Sequence, residues 1–278
     1  MKNINKTFRD KIGQLTFFHY KNCNYYKKIL DKIGFKVTKN LSLKSLPFLP
    51  VRIFKDYDLL SVKKNKIVKV LLSSGTTGTK QSSIFLDRKN SINQIKTLQK
   101  IMYGLLKQKE KIPMLIISQN IRNLDRLKFN AKIAAINGFS MFGKDHTYLI
   151  NSKGHIDYKI LNDFLKKNKN KKFLIFGFTV DIFNYLINKI NKKKLKTDFS
   201  KAILLHGGGW KKLEKNKISN SKFKFKLTQK LNLKSIVNYY GLIEQVGSIF
   251  LECKCGYFNT TEYSDILIRD RNFNILGS

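Results

Sequence analysis

Six short apolar runs, separated by stretches of helical periodicity, leave this chain few architectures to choose from. The runs are KIVKVLL (66–72), SSIFLD (82–87), PMLIIS (113–118), KFLIFGF (172–178), KAILLHGGG (201–209) and SIVNYYG (235–241). Between them NSINQIKTLQKIMYGLLKQ, VDIFNYLINKI and KFKFKLTQKL carry apolar residues at helical spacing. Alternation of this kind predicts an α/β fold with a largely parallel sheet covered by helices on both faces. GSIFLEC (247–253) and SDILIRD (264–270) read as antiparallel strands at the edge of that sheet. Ahead of them, residues 1–55 form a helical and extended cap: two helices from Thr7 to Phe35 broken near Asn22–Asn24, then SLPFLPVRIFK (45–55), whose two prolines predict extended backbone.

A chain of 278 residues with 42% apolar content can bury a large core. No run approaches the roughly 18 apolar residues of a membrane span, and the N-terminus lacks the apolar stretch of a secretory signal. Three cysteines, Cys23, Cys253 and Cys255, make no disulfide framework, so a cytoplasmic location is expected. Zinc is not expected at Cys253 and Cys255, which lack a second Cys or His pair. The net charge of +37 raises nucleic acid as an alternative partner, but only seven of the 55 basic residues are Arg and the lysines are scattered, as on a solvated surface. No dedicated nucleic-acid partner is expected.

Three stretches carry chemistry. In SSGTTGTK, Gly75 and Gly78 permit positive φ and close approach, while Ser73, Ser74, Thr76 and Thr77 add hydroxyls to backbone N–H groups. Such a loop suits phosphate oxygens; alone it reads equally as a hairpin turn. It is not a Walker loop, because the glycines are three apart and a strand follows. Gly207, Gly208 and Gly209 let backbone lie against a flat base, Tyr240 offers a stacking face beside Asn238 and Gly241, and Glu244 offers a hard oxygen for Mg²⁺, although taken singly Tyr240 also reads as core and Glu244 as surface. His206 reads either as an imidazole directed at a carboxylate or phosphate, or as a histidine satisfied at a strand end.

The order of these stretches resembles that of the adenylate-forming enzymes: phosphate loop, then glycine run, then Asn-x-Tyr-Gly-x-x-Glu. Within that superfamily HGGGWKKLE, YYGLIEQVGSIFLEC, YSDILIRD and LPFLPVRIFK look like the acyl-protein synthetase (LuxE) family, from about Asn22 onward. The resemblance implies a large N-terminal adenylate-forming domain over 56–278, with mixed and parallel sheets flanked by helices; the superfamily's later Thr-Gly-Asp stretch and mobile C-terminal domain are not in this sequence, so a C-terminally truncated lobe is expected. It implies ATP and Mg²⁺ as cofactors and a fatty or other carboxylic acid as substrate, activated as acyl-AMP. The acyl group would then pass to a protein thiol, with a reductase or carrier as acyl-accepting partner; a nucleotide- or acyl-binding module without turnover is the alternative. By the same resemblance Glu244 binds the metal, Lys80 and His206 join it in catalysis, and GFTVDIF (177–183) stands where an acyl pocket has its wall. An aromatic pair at that spacing is otherwise core. The chain departs from the superfamily in three places. Lys80 sits one position before the usual lysine, without the proline that precedes it. Ile243 replaces the usual Thr before the glutamate, and no cysteine matches the family's acyl acceptor.

Overall fold

The computed structural model describes residues 6–38, 41–73, 80–120 and 131–277. They divide into two compact units. The first comprises Met1–Ile101, Gly241–Ile249 and Thr260–Ser278; the second comprises Met102–Tyr240 and Phe250–Asn259.

In the first unit α1 (Lys6–Asn22) and α2 (Asn24–Lys32) meet at Cys23, which is buried and extended between them. Where the two prolines predict extended backbone, a single helical turn, α3 (Ile53–Asp56), closes the segment instead. Pro50 precedes that turn and its carbonyl accepts the Ile53 N–H, so the ring's missing donor disturbs nothing. Strands β1 (Ile67–Leu72) and β2 (Ser83–Asp87) pair antiparallel as a sheet of their own, followed by α4 (Arg88–Leu106).

The second unit holds the main sheet. Its strands are β3 (Ile112–Gln119), β4 (Gly143–Ile150), β5 (Phe173–Phe178), β6 (Ala202–Gly207), β7 (Ser235–Tyr240), β8 (Phe250–Glu252) and β9 (Phe258–Asn259), in the spatial order β4-β3-β5-β6-β7-β8-β9. The first five run parallel, and β8 and β9 extend the edge antiparallel. The crossovers include α5 (Ala131–Ser140), α6 (Tyr158–Lys167), α7 (Thr179–Asp181) and α8 (Asn220–Leu231). Two of them start on side-chain caps: Asp157 accepts the Ile160 N–H and Ser219 the Lys222 N–H. After α7 the chain widens into a π-helix, Ile182–Lys189, whose Ile182, Leu186 and Ile187 join a core of Leu115, Ile175, Leu204, Phe223 and Leu227.

SDILIRD does not join this sheet. Its β10 (Ile268–Arg269) pairs with β11 (Ile275–Gly277) in a separate two-stranded ribbon of the first unit, braced by Arg269 over the Phe48 ring. Among the described residues no helix is long and apolar enough to cross a membrane.

Candidate nucleotide site

Parallel pairing of β6 with β7 sets two of the chemistry-bearing stretches side by side in the second unit. His206 stands opposite Asn238, and Gly207 opposite Tyr239. The three glycines then do different things. A Cβ on Gly207 would come within 2.5 Å of the Tyr239 ring, so this position is bare because an aromatic fills its space. Gly208 has φ +80° and lies against Phe178. Gly209 has nothing within 4 Å of where its Cβ would be, so the chain turns outward into open space there. Strand alternation separates the two tyrosines in the same way. Tyr239 packs on Phe139 and Phe176, while Tyr240 is 49% exposed with Phe250 and Phe258 beside it.

His206 does not face outward. It is 1% exposed and its ring packs on Phe223, 4.8 Å between centroids. The Thr179 hydroxyl has one proton and gives it to the Gly207 carbonyl (3.1 Å), so it accepts from His206 Nδ1–H (3.0 Å). Nε2 is left as a bare lone pair with no partner among the described residues. Burial first, and the Lys224 charge second, push the imidazole down to about 3, so it stays neutral. Of the expected acyl-pocket wall, Ile182 lies in the core and Phe183 packs edge-on to Trp210.

The remaining expected site residues belong to the first unit. Ser73 closes the base of the phosphate-loop stretch: its N–H donates to Ser82 O (3.0 Å), its Oγ accepts the Ser82 N–H (2.8 Å), and its carbonyl accepts from Gln81 Nε2 (2.7 Å). Ser74, Gly75, Thr76, Thr77 and Gly78 lie outside the described residues. Lys80, at the far shoulder, is exposed. Gly241 packs against Ile249 and opens a turn in which Gln245 N–H donates to Leu242 O. Glu244 lies in that turn, half-buried, and no described side chain pairs with its carboxylate. The turn closes at Gly247, φ +77°, where a Cβ would strike the Gln94 backbone.

These groups suit the expected ligands. An open backbone turn next to an exposed aromatic face accommodates a base, and an unengaged carboxylate is what Mg²⁺ takes when phosphates supply most of its other ligands. Among the described residues no cluster of three or more His, Cys, Asp or Glu could hold a metal by itself.

The acyl-protein synthetase (LuxE) family model matches residues 2–277. The chain belongs to that family. This LuxE-family chain is similar in fold to 2-hydroxyisobutyryl-CoA ligase in complex with 2-HIB-AMP and CoA, with TM-score 0.65, 13% identity, 97% of this chain and 56% of that one covered. A nonribosomal peptide synthetase protein containing adenylation and PCP domains also matches, with TM-score 0.47, 13% identity and coverage of 91% and 49%. The LuxE-family chain therefore spans about half the length of the solved structures it matches. No curated protein sequence matches it.

Two features of this LuxE-family chain depart from the sequence reading: two of the cysteines expected to make no disulfide framework are paired, and a buried glutamate escapes that reading. Cys253 and Cys255 are bonded to one another, because the β8–β9 turn, with Gly256 at φ +87° and Cys253 N–H donating to Tyr257 O, brings their Cα atoms to 5.3 Å. Glu252, just before them, is buried with Asn220, Lys224 and Asn238 around it.

Proposed function

We propose that this chain binds ATP and activates a carboxylic acid as acyl-AMP, the acyl group then passing to a protein thiol or another acceptor. A carboxylate oxygen attacks the α-phosphorus of ATP, the bond from that phosphorus to the bridging oxygen breaks, and pyrophosphate leaves with the electron pair. The attacker is weak and negative charge gathers on the transferring group, so the protein's part is alignment and neutralisation. Tyr240 gives the adenine a stacking face, and the turn at Gly208–Gly209 lets it approach the backbone. Ser73 to Gly78 wrap the triphosphate, with Lys80 adding positive charge at the shoulder. Glu244 would hold Mg²⁺, and the ion would supply charge neutralisation to the phosphates. Buried and neutral, His206 serves this rim from inside by holding Thr179, which in turn holds the Gly207 carbonyl.

The acid we infer is fatty and the acceptor a reductase or carrier protein, as family membership suggests. The observation that carries the reading is the β6–β7 pairing, which sets a glycine turn open at Gly209 beside the strand presenting Tyr240. ATP–pyrophosphate exchange that depends on added carboxylic acid tests it. Glu244→Ala and Gly75→Val are each expected to lower exchange by about a hundredfold. Exchange indifferent to both substitutions overturns the reading, and ATP binding without acyl-AMP leaves a binding module instead.

A further inference from the structure

Glu252 is the one carboxylate among the buried described residues, its side chain 1% exposed. Continuing the β7–β8 register, in which Tyr240 faces Phe250 and Tyr239 faces Leu251, places Glu252 opposite Asn238. There the carboxylate does what a backbone carbonyl would do in a longer strand: Oε2 accepts the Asn238 N–H at 3.2 Å. Oε1 accepts from Asn220 Nδ2 and, at 2.7 Å, from Lys224 Nζ. One side chain thus joins β8, the first turns of α8, and the strand end that leads to Tyr240. A carboxylate buried without such donors would be strongly destabilised, and these three contacts are what offset its removal from water.

We propose that Glu252 is a positioning residue for the nucleotide, its carboxylate fixing the backbone at Asn238 so that the Tyr240 face stays in register with the Gly207–Gly209 turn. The proposal rests on the acyl-adenylate reading above. Glu252 touches no substrate. It acts through Asn238, and Lys224 serves as the counter-charge that lets it be buried.

Two charge-free double variants isolate the acceptor. In E252Q/K224M the glutamine Oε1 can still take the Asn238 N–H while its amide donates to Asn220 Oδ1 once that amide turns over. E252L/K224M keeps the volume and offers no acceptor. Because neither leaves a buried charge unpaired, both are expected to fold, and thermal unfolding run in parallel reports any loss of stability. Calorimetric titration with Mg·ATP, well below the melting temperature, is expected to give E252Q/K224M an affinity within about threefold of the natural chain and E252L/K224M one about tenfold weaker. Equal ATP affinity of the two variants overturns the positioning role, even where the leucine variant melts earlier, since a purely structural bond would move the melting temperature alone. A natural chain that binds no ATP overturns this proposal and the acyl-adenylate reading together.

Discussion

The glycine turn of the second unit and the serine-rich stretch of the first are both rich in small residues, yet they stand on different supports. Behind the turn, β6 is buried on both faces, with Leu204 and Leu205 fully enclosed and a flanking strand on either side. The serine-rich stretch springs from a two-stranded hairpin whose first strand leaves Val68, Val70 and Leu72 between 47% and 60% exposed. In the first region packing dictates the backbone at Gly207 and Gly208, whose absent side chains are space already taken by Tyr239 and Phe178. In the second, hydrogen bonds at the base do the holding. A substitution in the first should therefore be read in stability, and one in the second in local closure.

The strongest way to break this comparison is Gly207→Val. Its new methyl groups would enter the Tyr239 ring, and overpacking at so enclosed a place is expected to cost about 3 kcal/mol, measured by urea unfolding. Gly209→Val, two residues on and facing open space, is expected to leave stability unchanged. If the two variants unfold alike, the packed-backing account of this rim is wrong. Next in size is Tyr240→Ala. Loss of a stacking face is expected to weaken ATP binding by about 2 kcal/mol with little effect on stability, because the ring is half exposed.

Much of this contrast can be read from the sequence. HGGGW and NYYG each end an apolar run of strand length, so their meeting at one end of adjacent parallel strands follows from the α/β pattern itself. Long-range polar burial does not. Glu252 ends an amphipathic strand like any surface glutamate, and its three donors lie 14, 28 and 32 residues away. Strand β4 escapes for a related reason: GKDHTYLI begins with polar residues and buries its apolar end only at Leu149 and Ile150. The Gly-Phe-Thr segment shows the same limit, since Thr179 finds its partners, His206 and Gly207, across the sheet.

His206 sharpens the comparison through pH. Its folded-state pKa of about 3 lies below the ordinary 6.5, so the unfolded chain takes up a proton that the folded one refuses. Stability from this residue is fully present above pH 6.5 and falls by about 1.4 kcal/mol per unit as pH drops toward 3. His206→Gln is expected to flatten that slope between pH 6.5 and 4.5, measured as the difference in urea midpoint from the natural chain. An unchanged slope would mean that the imidazole charges freely and the rim is open to water.

The smallest effect belongs to the hairpin. Ser73→Ala removes the acceptor of the Ser82 N–H, and Ser82 is fully buried with its own hydroxyl already without a partner among the described residues. One buried donor left bare is expected to cost about 1 kcal/mol, while Ser73 N–H and carbonyl still hold Ser82 and Gln81. The telling measurement is amide hydrogen exchange at Ser82, which should quicken in Ser73→Ala and stay unchanged in Gly207→Val at equal distance from the melting point. Hydrogen exchange reports local opening, and a support made of three hydrogen bonds opens by losing one of them. A support made of packed rings has no such intermediate step, and it gives way only when the sheet does.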